Sequence, residues 1–145
     1  MQAVTGQRRQ AGAVIVHAAA EARFALDVAA GAGVILLSAP GAAGFMGAPW
    51  WLALLRAAGA EPQGVLDCDQ APGEALAALR LGVRRLILLA EAPGFAAVAG
   101  AAAECGAELW PARPPALDLR LLDPAKPGAR RKLAEWLAKG GQSAR

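Results

Sequence analysis

The chain has 145 residues with a net charge of +3, and 56% of it is hydrophobic; this apolar content excludes disorder, and two cysteines exclude a disulfide scaffold. Ala supplies 39 of the apolar residues, so much of the composition reflects a small-residue background rather than a large core. Residues 11–118 hold six basic and ten acidic groups and residues 119–145 hold seven and two, so an acidic body ends in a basic segment.

The first element is a β-branched strand, Ala13–Val16, after a segment 1–10 read as an N-terminal tail. A helix over Ala18–Ala30 follows, stopped by Gly31 and Gly33. Val34–Leu37 is the second strand. A Gly-rich loop, Gly41-Ala42-Ala43-Gly44-Phe45-Met46-Gly47, leads to a helix over Pro49–Ala58. Gly64–Asp67, Arg85–Leu89 and Ala107–Trp110 are the third to fifth strands. Helices over Pro72–Leu81 and Pro93–Cys105 separate them. Leu117–Leu122 alternates with period two and reads as an extra edge strand. Arg130–Lys139 is a last amphipathic helix, and residues 140–145 read as a frayed tail.

Strands without alternation are buried on both faces, as in parallel sheets. The pattern predicts an α/β fold over residues 11–139: a three-layer, doubly wound, mostly parallel five-stranded sheet, flavodoxin-like or Rossmann-like. Residues 28–55 carry no charge, but five Gly and two Pro break this stretch into strand, turn and helix rather than a membrane span. Arg8-Arg9 before Ala11–Ala20 mimics a signal peptide; the apolar run is short and contains His17, so a cytoplasmic protein with reduced thiols is expected. The cluster Arg130-Arg131-Lys132 reads as a solvated helix face, and no nucleic-acid partner is expected.

Open α/β sheets bind ligands beyond the carboxyl ends of their strands. His17, Ser38, Asp67, Cys68, Asp69, Glu91 and Arg113 all fall at or just after strand ends. With the order 2-1-3-4-5, strand one lies between strands two and three, and His17 neighbours Ser38 and the Asp67-Cys68-Asp69 turn. A hydrolase or lyase would then use His17 as base with Asp67, Cys68 or Ser38. Acidic neighbours would raise the pKa of Cys68 and weaken it as a nucleophile. No metal-binding spacing is present in the sequence, and no cofactor is implied.

Ala-Pro-Gly recurs at Ala39, Ala71 and Ala92, each time between a strand and a helix. Such helix starts leave amides open to an anion, which makes Gly41, Gly44 and Gly73 candidate ligand contacts beside Asp69, Glu91 and Arg113. The glycine spacing matches neither dinucleotide nor P-loop signatures. Trp50 and Trp51 are adjacent on one helix and point about 100° apart, so one of them is free to meet a partner copy in a homodimer.

The block from Val65 to Val83, with Leu66-Asp67-Cys68, Ala71-Pro72-Gly73 and Ala75-Leu76-Ala77-Ala78-Leu79-Arg80, resembles one in a family of small uncharacterised bacterial α/β proteins. That resemblance implies no activity. The helix, Gly82-Val83 and strand that end the block are also similar to βα units of aldolase-type barrels. A full barrel needs at least ~200 residues. All three lysines, Lys126, Lys132 and Lys139, lie near the C-terminus, so no Schiff-base lysine stands at a strand end. Three readings follow: a domain binding a small, anionic ligand; a small hydrolase or lyase; and a homo-oligomeric scaffold.

Overall fold

A computed structural model describes residues 11–141; the segment 1–10, expected as a tail, lies outside the described residues, as do residues 142–145. The strands are β1 (Gly12–Ile15), β2 (Val34–Leu37), β3 (Gly64–Asp67), β4 (Arg85–Ile87), β5 (Glu108–Trp110) and β6 (Ala116–Asp118). The helices are α1 (Ala19–Ala29), α2 (Ala42–Phe45), α3 (Ala48–Ala58), α4 (Pro72–Arg80), α5 (Phe95–Cys105) and α6 (Pro127–Ala138). Together they form a six-stranded parallel sheet flanked by helices, the α/β fold expected from the alternation. No helix among the described residues is long and apolar enough to cross a membrane.

The strand order is β5-β4-β3-β2-β1-β6. This corrects the order 2-1-3-4-5: β1 pairs with β2 and β6, not with β3. The sixth strand is Ala116–Asp118, and a 3-10 turn over Leu119–Leu121 ends the pairing expected to run to Leu122.

The two faces of the sheet pack differently. Val14, Val16, Leu36, Leu66, Cys68, Leu86 and Leu88 share one large core with buried residues of all six helices. Chain order explains this: five strands laid down in one direction by right-handed crossovers carry their helices to the same side. On the opposite face Ala13, Ile35, Leu37, Val65 and Ile87 form a smaller core with Ile15, Leu89, Trp110 and Ala116. Trp110 ends β5 and Ala116 starts β6, at opposite edges of the sheet. Six flat strands at about 4.8 Å would separate those edges by roughly 24 Å. Six Cα steps reach at most about 23 Å, and the link must also run back along the strand direction. The sheet therefore curls around the smaller core, and the segment 111–115 crosses its mouth.

The last helix is pinned rather than frayed at Gly140 and Gly141. Gly140 N–H donates to Leu137 O and Gly141 N–H to Trp136 O, with both glycines at positive φ. This is the paired bonding of a Schellman end. Gly141 lies so close to Gly12 that a Cβ on Gly12 would stand 3.2 Å from the Gly141 nitrogen. Trp136 Nε1 donates to Ala13 O at 2.8 Å and holds the helix to β1.

Candidate functional site

β3 brings Asp67 to the carboxyl edge of the sheet, where its side chain is 2% exposed. A buried carboxylate needs full pairing to stay charged. Asp67 has it. Oδ1 accepts from Gly41 N–H at 3.0 Å, Asp69 N–H at 2.8 Å and Arg113 Nη2 at 3.1 Å, while Oδ2 accepts from Arg113 Nε at 2.6 Å. Asp67 also raises the pKa of the Arg113 guanidinium above its ordinary value through that hydrogen bond, outweighing partial burial. Arg113 Nη2 reaches Asp69 Oδ1 as well, at 3.0 Å. One guanidinium thus serves two carboxylates, and the segment 111–115 is tied to the centre of the sheet.

Asp69 sits at φ 52°, a left-handed conformation that few non-glycine residues adopt. Asp tolerates it because its short side chain bonds locally. Asp69 O accepts from Leu89 N–H at 2.9 Å, so the turn is stitched to the end of β4. Ser38 is buried behind the cluster. Its hydroxyl accepts from Asp67 N–H at 2.8 Å and donates to Ala39 O at 3.2 Å. Gly41 sits at φ 73° before α2 and delivers its N–H to Asp67, a position where a side chain would be strained. The Gly-rich segment expected as a loop contains this helical turn, with Ala42 and Ala43 buried.

Cys68 points to the helix side of the sheet and is buried in the large core. Burial, then the charges of Asp67 and Glu74, push its thiol up to about 12. It is a core thiol without thiolate character at neutral pH.

His17 is held apart from all of these. Its Nε2 lies 2.8 Å from Asp118 Oδ1 on β6. Its backbone N–H donates to Glu21 Oε1 at 2.6 Å, so Glu21 reaches back over the start of α1. Burial pushes the Asp118 carboxyl up, but the Arg120 backbone N–H, the His17 imidazole and the Arg120 guanidinium outweigh this and leave its pKa below the ordinary value. Asp118 and Arg120 are functional candidates that strand-end reasoning missed. The one available signal was the alternation of Leu117, Asp118 and Leu119, which sends Asp118 to the face opposite its neighbours.

The combination of His17 with Asp67, Cys68 or Ser38 is therefore not assembled. β2 stands between β1 and β3, Cys68 faces the opposite side, and Ser38 is engaged with backbone. Asp67, Asp69, Arg113 and Gly41 do form one cluster. Gly44 and Gly73 are exposed and have open space around their α-carbons. Glu91 is exposed in the turn after β4 and makes no hydrogen bond or ion pair among the described residues. Of the three Ala-Pro-Gly turns, only Pro72 enters a helix; Gly41 and Gly94 are themselves left-handed caps.

Beside the cluster, a groove of about 370 Å³ follows β5 and the crossing segment, lined by Trp110, Pro111, Arg113 and Pro114 among others. No group of three or more His, Cys, Asp or Glu side chains that could hold a metal ion is present among the described residues. No family model matches the chain, and neither a curated protein nor a solved structure matches it.

Proposed function

We propose that the chain is a small-molecule-binding α/β domain whose ligand lies at the carboxyl ends of the strands, against the Arg113 cluster. The observation that carries this reading is the groove of about 370 Å³ that shares Arg113 with Asp67 and Asp69. Its size falls within the range of ligand pockets, about 300–1,000 Å³. Trp110 offers a flat apolar surface, and Arg113 keeps Nη1 outside its bonds to the two carboxylates. Two acids on one guanidinium leave the locality negative, and Asp67 already takes the Gly41 amide that an anion would need. A ligand that donates hydrogen bonds or carries positive charge fits this better than the anion suggested by the helix starts. The two free cysteines suit the reducing cytoplasm.

A thermal-shift screen of small metabolites, followed by calorimetry on the hits, tests the proposal. Saturable binding that Asp69→Asn weakens about tenfold is expected. Hits indifferent to Asp69→Asn and to Trp110→Ala would sink it.

A second reading, a small hydrolase or lyase, is favoured by the His17–Asp118 pair. A carboxylate that orients an imidazole prepares its other nitrogen as a base. Here Asp118 takes the place that the carboxylate of Asp67 held in the sequence reading, with neither Cys68 nor Ser38 as the nucleophile. Turnover abolished by His17→Asn, with the fold intact, would move the function to that pair. A homodimer through α3 draws support from half-buried Trp50 and from Phe45 and Met46, exposed to 67% and 46%. Light scattering at a monomer mass would remove it.

A further inference from the structure

The opposite, amino-end edge of the sheet carries a cavity that the reading above does not use. Its volume is about 320 Å³, and it opens between α3, the 3-10 turn at 61–63 and the turn leading into β4. Trp51, Leu55, Pro62 and Val83 supply apolar walls, and Arg84, Arg85 and Glu61 supply the charged lining. Two glycines shape it. A Cβ on Gly64 would overlap Leu55 Cδ1, so only glycine lets Leu55 lie over the start of β3; Gly82 turns the chain at φ +91°.

Trp51 is fully buried, yet its indole Nε1 has no hydrogen-bond partner. Gln63, on the turn that borders the cavity, also buries its Oε1 without a partner. A buried polar atom left unpaired costs about 1–3 kcal/mol, so the Trp51 indole is kept in the cavity wall at a cost. The cavity thus offers an apolar space rimmed by guanidinium groups. Glu61 is the opposing charge, and Arg56 lies 3.8 Å from it.

We propose that this cavity is a second binding site, for a small apolar carboxylate. The apolar body packs against Trp51, Leu55 and Val83. The carboxylate lies against Arg84 and Arg85, which balance its charge. Arg84 keeps donors free beyond its bond to Cys105 O through Nη1, and Arg85 is held only loosely, 3.9 Å from Glu108.

Calorimetry with phenylacetate, benzyl alcohol and benzylamine on the whole chain tests this. Phenylacetate is expected to bind with one saturable site and at least tenfold more tightly than the alcohol or the amine. Arg85→Gln, a change at a partly exposed side chain, is expected to weaken it about tenfold, and Trp51→Phe by several fold. Arg113→Lys, at the opposite edge, is expected to leave it unchanged, which separates this site from the first. Absence of phenylacetate binding overturns the proposal, as does equal affinity for the alcohol or indifference to Arg85→Gln. Should Trp51→Phe fail to fold, the Arg85→Gln arm decides alone.

Discussion

The two edges of the sheet differ in how their polar groups are used. At the carboxyl edge every charged group in the central cluster is already answered by another. Asp67 takes four donors, and Arg113 links it to Asp69. At the amino edge an indole N–H and an amide oxygen are buried with nothing to meet them. The carboxyl edge thus uses its charges to hold the crossing segment onto the sheet, and binding there must work around an existing ion pair. The amino edge has shape and two unsatisfied polar atoms but little internal pairing. Rigid, prepaid electrostatics and open demand are two ways a small α/β chain can present a site.

The comparison breaks most sharply at Arg113. Arg113→Ala leaves Asp67 buried without its guanidinium, and a loss of about 3 kcal/mol in urea unfolding is expected. A loss under ~1 kcal/mol would mean that the two backbone amides hold the carboxylate by themselves. At the amino edge, Gly64→Ala forces Leu55 away from β3, and a loss of about 1–3 kcal/mol is expected. That variant should also weaken phenylacetate binding, whereas Arg113→Ala should not.

The remaining two tests use pH. The folded state holds the Cys68 thiol at about 12 against an ordinary 9.0, so it binds the proton more tightly than the unfolded chain. That stabilisation is complete below about pH 9 and is lost as pH rises towards 12. Cys68→Ala should flatten the alkaline limb of a stability–pH curve; an unchanged limb would show that other groups set it. Asp118 has the opposite sign. Its folded pKa lies below the ordinary 3.8, so its contribution is present above that value and is lost as pH falls through the lower folded one. Asp118→Asn is expected to cost at most about 1 kcal/mol at pH 7, because the pair is partly solvated, and to reduce the acid sensitivity below pH 4. A steeper acid limb in the variant would contradict the assignment.

Much of this fold was legible in the residues. Val34–Leu37 and Gly64–Asp67 coincide with the expected strands, because uninterrupted β-branched and leucine runs admit little else between glycines. Asp67 and Arg113 were legible as polar groups beyond strand ends. Their partnership was not, because it spans 46 positions and depends on where 111–115 crosses the sheet. β6 was legible as the alternating run from Leu117, but its pairing with β1 closes across a hundred positions, and local pattern does not say which strand an edge strand joins. That one pairing moved His17 from Asp67 to Asp118. Helix ends were misplaced where glycine caps them: α5 begins at Phe95 because Gly94 takes the left-handed turn ahead of it.

The contact between Gly12 and Gly141 has a consequence for handling the molecule. The path into β1 and the path out of α6 meet at one corner, with backbone against backbone. A short Gly-Ser linker joining them would convert the chain into a ring without crossing either edge site. Reopened at the exposed Glu91 turn, such a permuted chain would retain all five strand pairings. That corner, at Gly12 and Gly141, lies away from Arg113 and His17 at the far end of the strands.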